Sequence, residues 1–151
     1  MARAPFNVLI FPYRFINHSI EYAIFNRSDS EEDFWQGLSG GGEDSETPIE
    51  TAIRETWEES RIPKDSQFIH LDSVFSVPVT AFGDSHLWRK DRYVIPEYCF
   101  GVLVEGQEIV LSHEHTEFKW LTFERAIGLL KFESNRIALW ELDQRLKDLG
   151  R

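Results

Sequence analysis

Residues 40–46 read Gly-Gly-Gly-Glu-Asp-Ser-Glu, and residues 54–62 read Arg-Glu-Thr-Trp-Glu-Glu-Ser-Arg-Ile. In a helix, Glu55, Glu58 and Glu59 stand at positions i, i+3 and i+4, so three carboxylates crowd one side of one turn. Like charges at this spacing destabilise an isolated helix by roughly 0.2–0.5 kcal/mol per pair. A bound divalent cation removes that repulsion, so the second stretch predicts a cation-binding helix.

The residues before this stretch predict where the helix begins. Thr47 has the side chain of an N-cap, Pro48 suits the first helical position, and Glu50 completes a capping box with Thr47. The stripe expected to face the core consists of Ile49, Ala52, Ile53 and Thr56. The helix therefore has one side for packing and another for chemistry.

The acidic side chains also indicate which ion binds. Hard oxygen ligands, with no cysteine and no clear histidine partner, favour Mg²⁺ or Mn²⁺ over zinc. These ions commonly bind phosphate oxygens together with one or two carboxylates. The sequence therefore favours a small phosphorylated substrate.

Residues 40–62 resemble the Nudix box. Its pattern is a glycine, five residues, Glu, seven residues, Arg-Glu, an aliphatic residue, any residue, Glu-Glu, any residue, Gly and an aliphatic residue. The matching positions are Gly40, Glu46, Arg54, Glu55, Glu58, Glu59 and Ile62. Thr56 replaces the first aliphatic residue, and Arg61 replaces the glycine that ends the helix. A left-handed C-cap in a residue other than glycine costs about 1 kcal/mol or more, so a looser helix end is expected.

Segments outside the box resemble the dihydroneopterin triphosphate pyrophosphohydrolase branch, which overlaps with proteins labelled dATP pyrophosphohydrolases. They are Phe-Trp-Gln-Gly at 34–37, Trp57, Glu-His at 114–115, Phe-Lys-Trp-Leu at 118–121 and Ser-Asn-Arg at 134–136. The likeness extends over roughly residues 5–149 and is strongest in the box.

The resemblance implies roles for the residues of the box. Glu58 and Glu59 would be metal ligands, and Glu55 either a ligand or the general base. The carbonyl oxygen of Ser39 is a candidate for one more ligand. Arg54 would orient a carboxylate through a charge-assisted hydrogen bond. Glu46 would support the junction of loop and helix, with Gly40 as the first position of the box.

A further carboxylate ligand is expected near the C-terminal third of the chain. Glu114 and Glu117 compete for this role, and Glu114 is favoured because it aligns with the Glu-His of the resembled branch. His113 and His115 alternate on an extended segment, so they form either a metal-binding pair or supporting contacts. The number of metals and the identity of the base stay open.

Five other residues are candidates for substrate contacts. Arg14 and Arg27 carry charges suited to phosphates, although a solvated surface charge is the commoner role for each. Trp35 and Trp88 have rings that stack either on a flat heterocycle or in the core. Asn135 offers a donor and an acceptor for the edge of a pterin or purine, and the branch motif singles it out.

Composition narrows the class of protein. The chain has 151 residues, so we expect a single Nudix hydrolase domain over residues 1–151. A net charge of −10 disfavours binding to nucleic acid or to anionic membranes. The single cysteine, Cys99, forms no internal disulfide, and no apolar leader is evident, so a cytoplasmic location is expected. A monomer and a homodimer both stay open.

The remaining pattern predicts an α/β (α+β) fold. Strands are expected at residues 6–11 and 20–25, paired around a loop at 17–19, and at 34–38, 68–79, 93–104 and 117–121, with a polar loop at 84–91. Residues 34–38 lead into a glycine loop. Thr122 is expected to cap a short helix to residue 130, and Ser134 a final helix with Ile137, Ala138, Trp140, Leu142 and Leu146 on its core side. The resemblance implies a Nudix-type α/β/α sandwich around a central mixed sheet.

The predicted activity is metal-dependent hydrolysis of dihydroneopterin triphosphate to the monophosphate and pyrophosphate. One alternative is a Nudix hydrolase that acts on (d)NTPs, dinucleoside polyphosphates or nucleotide sugars. Another is a catalytically silent, nucleotide-binding regulator. The retained cluster of Glu55, Glu58 and Glu59 disfavours the regulator.

Overall fold

The computed structural model describes residues 3–27, 34–81, 88 and 92–150. The chain opens with a hairpin of β1 (Arg3–Ile16) and β2 (Ser19–Arg27). The two strands pair from Tyr13 and Tyr22 to the turn. The turn residues Asn17 and His18 have φ angles of 48° and 68°, which is the left-handed conformation of a tight hairpin turn. The hairpin is present as predicted, with longer strands than expected.

Five further strands complete the sheet. They are β3 (Trp35–Gln36), β4 (Leu38–Glu43), β5 (Phe68–Pro78), β6 (Val94–Leu103) and β7 (His115–Leu121). The central order is β3-β2-β1-β6-β5, with β4 also paired to β1 and β7 to β2. Strands β1 and β6 are parallel, whereas β1 pairs with β2 and β4 in the antiparallel sense. The predicted mixed sheet is therefore confirmed.

The predicted glycine loop is a strand. Gly40 pairs with Val8 and Gly41 with Asn7, so the three glycines run along β4 beside β1. The polar loop predicted at residues 84–91 lies outside the described residues except for Trp88.

Helix α1 (Pro48–Ser60) begins as its sequence predicts. Thr47 is the N-cap, and the capping box with Glu50 is present in both directions. Arg61 ends the helix in the left-handed region, with φ of 61°. The predicted inward stripe is wrong at Ile49, which is 37% exposed because it lies in the first turn at the rim of the sheet; Ala52 and Thr56 are fully buried.

Three predictions about helix ends and helix faces need correction. Helix α2 (Phe123–Leu129) has Thr122 at its N-cap position, but the side chain makes no capping hydrogen bond. Helix α3 (Glu133–Leu149) begins one residue before Ser134, with Phe132 as N-cap. Trp140 is 54% exposed and Ile137 is 43% exposed, so neither lies on the core side as predicted.

The helices cover both faces of the sheet. Side chains alternate along β1, so even-numbered residues face α1 and odd-numbered residues face α2 and α3. The cluster on the α1 face includes Val8, Ile10, Ala23, Phe25, Leu38, Ala52, Ile62, Phe100 and Val102. The cluster on the other face includes Leu9, Phe11, Tyr22, Ile24, Trp35, Cys99, Ala126, Ala138, Leu139, Leu142 and Leu146. This is the α/β/α layering expected from the sequence.

A search of the described helices found none that is both long enough and apolar enough to span a lipid bilayer.

Candidate active site

Arg54 lies at the centre of the acidic stretch. Its Nε and Nη2 donate to the two carboxylate oxygens of Glu46 over 2.8 and 3.0 Å. Nη2 also donates to the carbonyl oxygen of Gly41 over 2.9 Å. Nη1 donates to Glu55 over 3.0 Å and to Glu58 over 3.2 Å. Its Nε also lies 3.6 Å from Oε1 of Glu43. One guanidinium thus connects β4 to α1 and partly neutralises four carboxylates.

Glu46 supports this junction as an ionised group. Hydrogen bonds from Arg54, above all, lower the pKa of the Glu46 carboxyl to about 2. Its Oε1 also accepts from the hydroxyl of Thr51 over 2.8 Å and from the backbone N–H of Glu43 over 2.9 Å. Thr51 was not identified from the sequence as a partner of Glu46. The only feature that could have indicated this role is a hydroxyl side chain one turn inside an acidic helix.

Glu59 is the most deeply buried carboxyl of the cluster. Only 3% of the residue is exposed, and burial, followed by the neighbouring Glu114 and Glu55, raises its pKa to about 10. Arg27 lies close enough to oppose that shift. Within the described part of the chain, Oε2 of Glu59 is buried without a hydrogen-bond partner. Such a group is destabilising unless a ligand satisfies it.

Glu55 lies against the glycine strand. Burial raises the pKa of its carboxyl to about 7, opposed by Arg54 and reinforced by Glu58. A Cβ at Gly40 would lie 2.1 Å from Cδ of Glu55, so only glycine permits this approach. Ser39, whose carbonyl was a predicted ligand, directly precedes Gly40 in β4.

The structure separates the two candidates for the distal carboxylate. Glu114 lies beside Glu59 and contributes to the raised pKa of its carboxyl. Glu117 pairs with Asn26, which alternates with the α1-facing Phe25, so Glu117 points to the opposite face of the sheet. The pairing of β2 with β7 changes register between Asn26 and Arg27. This change of register alters the face on which the residues near Glu114 lie. The geometry therefore favours Glu114.

His115 supports the cluster from β7. Its Nδ1 lies 3.9 Å from Oε1 of Glu59, and its ring packs at 5.4 Å from the ring of Phe25. His113, in contrast, is exposed. The two histidines therefore differ in burial, and His115 is the one shown to lie close to Glu59.

The donor set fits a hard divalent cation. Carboxylate oxygens from Glu55, Glu59 and Glu114 meet beside the glycine strand, and Glu58 lies half-exposed next to them. Among the described residues, no three acidic, histidine or cysteine side chains form a ready-made metal-binding group. Mg²⁺ keeps several waters and is commonly completed by substrate phosphates, so it needs no full protein cage.

Two predicted substrate contacts are already occupied by the protein. Arg14 donates twice to Glu21 and lies 4.3 Å from the ring of Trp120. Trp35 is only 9% exposed, and Nζ of Lys119 lies 4.9 Å from its ring. Trp35 packs in the core cluster of the α3 face, which leaves little of its ring for stacking.

The other candidates lie in different surroundings. Oδ1 of Asn135 accepts from the backbone N–H of Gly37 over 2.8 Å, which holds the turn between β3 and β4. Trp88 is half-buried, and its indole N–H donates to the carbonyl oxygen of Arg3. Arg27 is the one predicted phosphate-binding residue placed beside the carboxylate cluster.

Comparison with known proteins gives this geometry a family. The NUDIX domain profile matches residues 15–141. The dihydroneopterin triphosphate diphosphatase of Haemophilus influenzae is 31% identical over 109 residues, covering 71% of this chain and 69% of the relative. The asymmetrical bis(5'-nucleosyl)-tetraphosphatase of Rattus norvegicus is 32% identical over 130 residues, covering 86% and 83%.

Solved structures agree with these matches. A Listeria monocytogenes protein assigned as a NUDIX hydrolase has a TM-score of 0.86 at 38% identity, over 97% of both chains. The dihydroneopterin triphosphate pyrophosphohydrolase of Escherichia coli has a TM-score of 0.72 at 26% identity, over 92% of this chain and 94% of that one. With the acidic box assembled on α1 and β4, this chain belongs to the Nudix family of hydrolases that act on phosphoanhydrides.

Proposed function

We propose that this protein hydrolyses dihydroneopterin triphosphate to the monophosphate and pyrophosphate, with Mg²⁺ or Mn²⁺. The observation that carries the hydrolysis is the meeting of Glu55, Glu59 and Glu114 beside Gly40, where one buried oxygen of Glu59 has no hydrogen-bond partner among the described residues. Relatives named as dihydroneopterin triphosphate diphosphatases, at 31–33% identity, support the choice of substrate.

Each residue of the cluster would have a separate role in the reaction. Glu58, Glu59 and Glu114 would hold the cation, which supplies neutralisation of the phosphate oxygens. Glu55 would accept a proton from the attacking water, since its pKa of about 7 is close to the working pH of a general base. Arg54 fixes the orientation of Glu55 through its hydrogen bond.

The position of attack and the metal requirement test this proposal together. Reaction in oxygen-18 water should place the label outside any released orthophosphate and yield pyrophosphate and a monophosphate. Label found only in orthophosphate would contradict it.

Activity should require Mg²⁺ or Mn²⁺ and should fall at least about a hundredfold in Glu58→Gln and Glu59→Gln, as for loss of a group acting in the transition state. Glu117→Gln, on the opposite face of the sheet, is the matched control.

A second candidate is hydrolysis of a dinucleoside polyphosphate. The relatives include asymmetrical bis(5'-nucleosyl)-tetraphosphatases. A cavity of about 810 Å³ also opens on the α1 face, lined in part by Phe118, Trp120 and Arg14. Its volume is that of a small-molecule site. A higher kcat/KM for diadenosine tetraphosphate than for dihydroneopterin triphosphate would favour this candidate.

The net charge and the composition bear on the partners and the location of the protein. A net charge of −10 disfavours polyanionic partners, because nucleic acids and anionic membranes bind to positive surfaces. The single cysteine, Cys99, is free and buried, which suits a reducing compartment. We therefore infer a cytoplasmic enzyme of small phosphorylated molecules, acting as one domain in a monomer or homodimer. Sedimentation of the purified protein determines which of the two assemblies forms.

A further inference from the structure

Glu97 is a buried acid that the hydrolytic site does not use. The residue is 8% exposed, and burial raises the pKa of its carboxyl. Its Oε2 accepts from Nδ2 of Asn7 over 2.6 Å, and the described residues provide no second hydrogen bond to this carboxylate. A carboxyl buried to this extent with no cationic partner among the described residues is uncommon, and the hydrolytic chemistry does not account for it.

Glu97 ends a polar row that starts at the glycine strand. Asn7 in β1 pairs with Gly41 in β4 on one side and with Glu97 in β6 on the other. Strands lie about 4.8 Å apart, which puts Glu97 about 10 Å from Gly41. Gly40, the next residue, contacts Glu55 on the other face. The row thus lies behind the strand that carries the phosphate chemistry.

Arg3 and Trp88 complete the surroundings of this row. The guanidinium of Arg3 packs over Gly41 and donates to Oδ1 of Asn7 over 3.5 Å. Trp88 donates its indole N–H to the Arg3 carbonyl oxygen, and its ring lies 5.5 Å from Cζ of Arg3. An aromatic ring, a guanidinium and a carboxylate therefore stand together on one side of β4.

Strand β4 lies between the two places. Among the described strands it pairs only with β1, so no described strand covers its other edge. Its glycines present no side chains at that edge. A substrate that crossed this edge would have its phosphates beside Glu55 and its ring system on the side of Glu97.

We propose that Glu97, held by Asn7, recognises the adjacent ring N–H and amino group of a 2-amino-4-oxo heterocycle, the edge shared by pterins and guanine. This specificity role rests on the proposed phosphoanhydride hydrolysis. Two N–H donors from a ligand favour the ionised form of this carboxyl and so oppose the effect of burial. An ionised carboxylate is an acceptor at both oxygens, so it matches two neighbouring donors. Adenine instead presents one amino donor beside an acceptor nitrogen, which repels the second oxygen.

The test compares kcat/KM for dihydroneopterin triphosphate, GTP and ATP. Glu97→Gln should lower the first two by about tenfold to a hundredfold, since a lost buried partner has that effect on selectivity. The value for ATP should change less than about threefold. Asn7→Ser, which removes the donor that positions Glu97, should give a smaller loss with the same selectivity. Glu117→Gln is the control for removal of a carboxylate.

The outcomes are distinct. An equal loss on all three substrates, or no loss on any, overturns the specificity role while leaving the hydrolytic proposal intact. Wild-type protein that hydrolyses none of the three contradicts the proposed function itself. If Glu97→Gln does not fold, competition on the wild type decides: GMP should inhibit at least about tenfold better than AMP, and weaker inhibition by GMP overturns the role.

Discussion

Replacing Glu59 by glutamine should stabilise the metal-free protein, and increasingly so as the pH rises. The carboxyl is buried, and its pKa is raised from an ordinary 4.5 to about 10 by burial, Glu114 and Glu55. The folded state therefore holds a proton that the unfolded state releases above its own pKa. Folding stability falls with rising pH throughout that window, and Glu59→Gln removes this dependence.

The size of the effect follows from the linkage. One proton held only by the folded state changes stability by about 1.4 kcal/mol per pH unit. Between pH 6 and pH 8 the upper bound is therefore about 2.7 kcal/mol. Relaxation of the site and entry of water reduce it, so we expect the wild type to lose about 1–2.5 kcal/mol more than Glu59→Gln.

Urea denaturation at both pH values, in the presence of EDTA, measures this difference. Glu117→Gln controls for loss of one negative charge from an acidic chain, because Glu117 is exposed on the opposite face. Saturating Mg²⁺ should reverse the order at pH 8, since the cation binds the ionised carboxylate of the wild type and stabilises the folded state. Parallel pH dependence of wild type and Glu59→Gln in EDTA would refute the reasoning.

Three further outcomes follow from the same contacts. Gly40→Ala should displace Glu55 and lower kcat at least about tenfold, whereas Gly128→Ala, where a Cβ meets nothing within 4 Å, should leave kcat unchanged and stabilise α2 by about 0.5–1 kcal/mol. Arg61→Gly should raise the free energy of unfolding by up to about 1 kcal/mol, because the backbone of Arg61 is in the left-handed region. The contact of Arg61 with the Trp57 ring at 5.1 Å offsets only part of that strain. An unfolding free energy below that of the wild type would contradict this prediction. Glu114→Gln should weaken activation by Mg²⁺ in a metal titration more than Glu117→Gln does, and equal effects would remove Glu114 from the site.

The features predicted best from the sequence are those fixed by nearby residues. The start of α1 depends on Thr47, Pro48 and Glu50, which lie within one turn of one another. The end at Arg61 follows from the box alignment alone. Ser134 was wrong as an N-cap because a tertiary contact intervenes: the ring of Phe132 packs 5.4 Å from that of Phe34, and the helix begins directly after it.

Features set by pairing between distant strands were not predictable in this way. The resemblance favours Glu114 over Glu117, but the physical reason for that choice is an irregularity in the β2–β7 register, which no period in the sequence reveals. Glu97 is a single acidic residue in a strand, a pattern typical of a solvated face. Its burial becomes evident only when β1 and β5 flank β6 and Asn7 lies opposite it.

Arg54 explains how so acidic a helix folds before any cation binds. Its Nε and Nη2 engage Glu46 and the Gly41 carbonyl oxygen, while Nη1 alone contacts Glu55 and Glu58. A cation that takes oxygens of Glu55 and Glu58 therefore competes with one nitrogen and leaves the connection between β4 and α1 in place. Lysine, with one ammonium group, would have to give up one of these functions. The arginine of the box thus allows the ligands to change partners while the strand and the helix stay fixed.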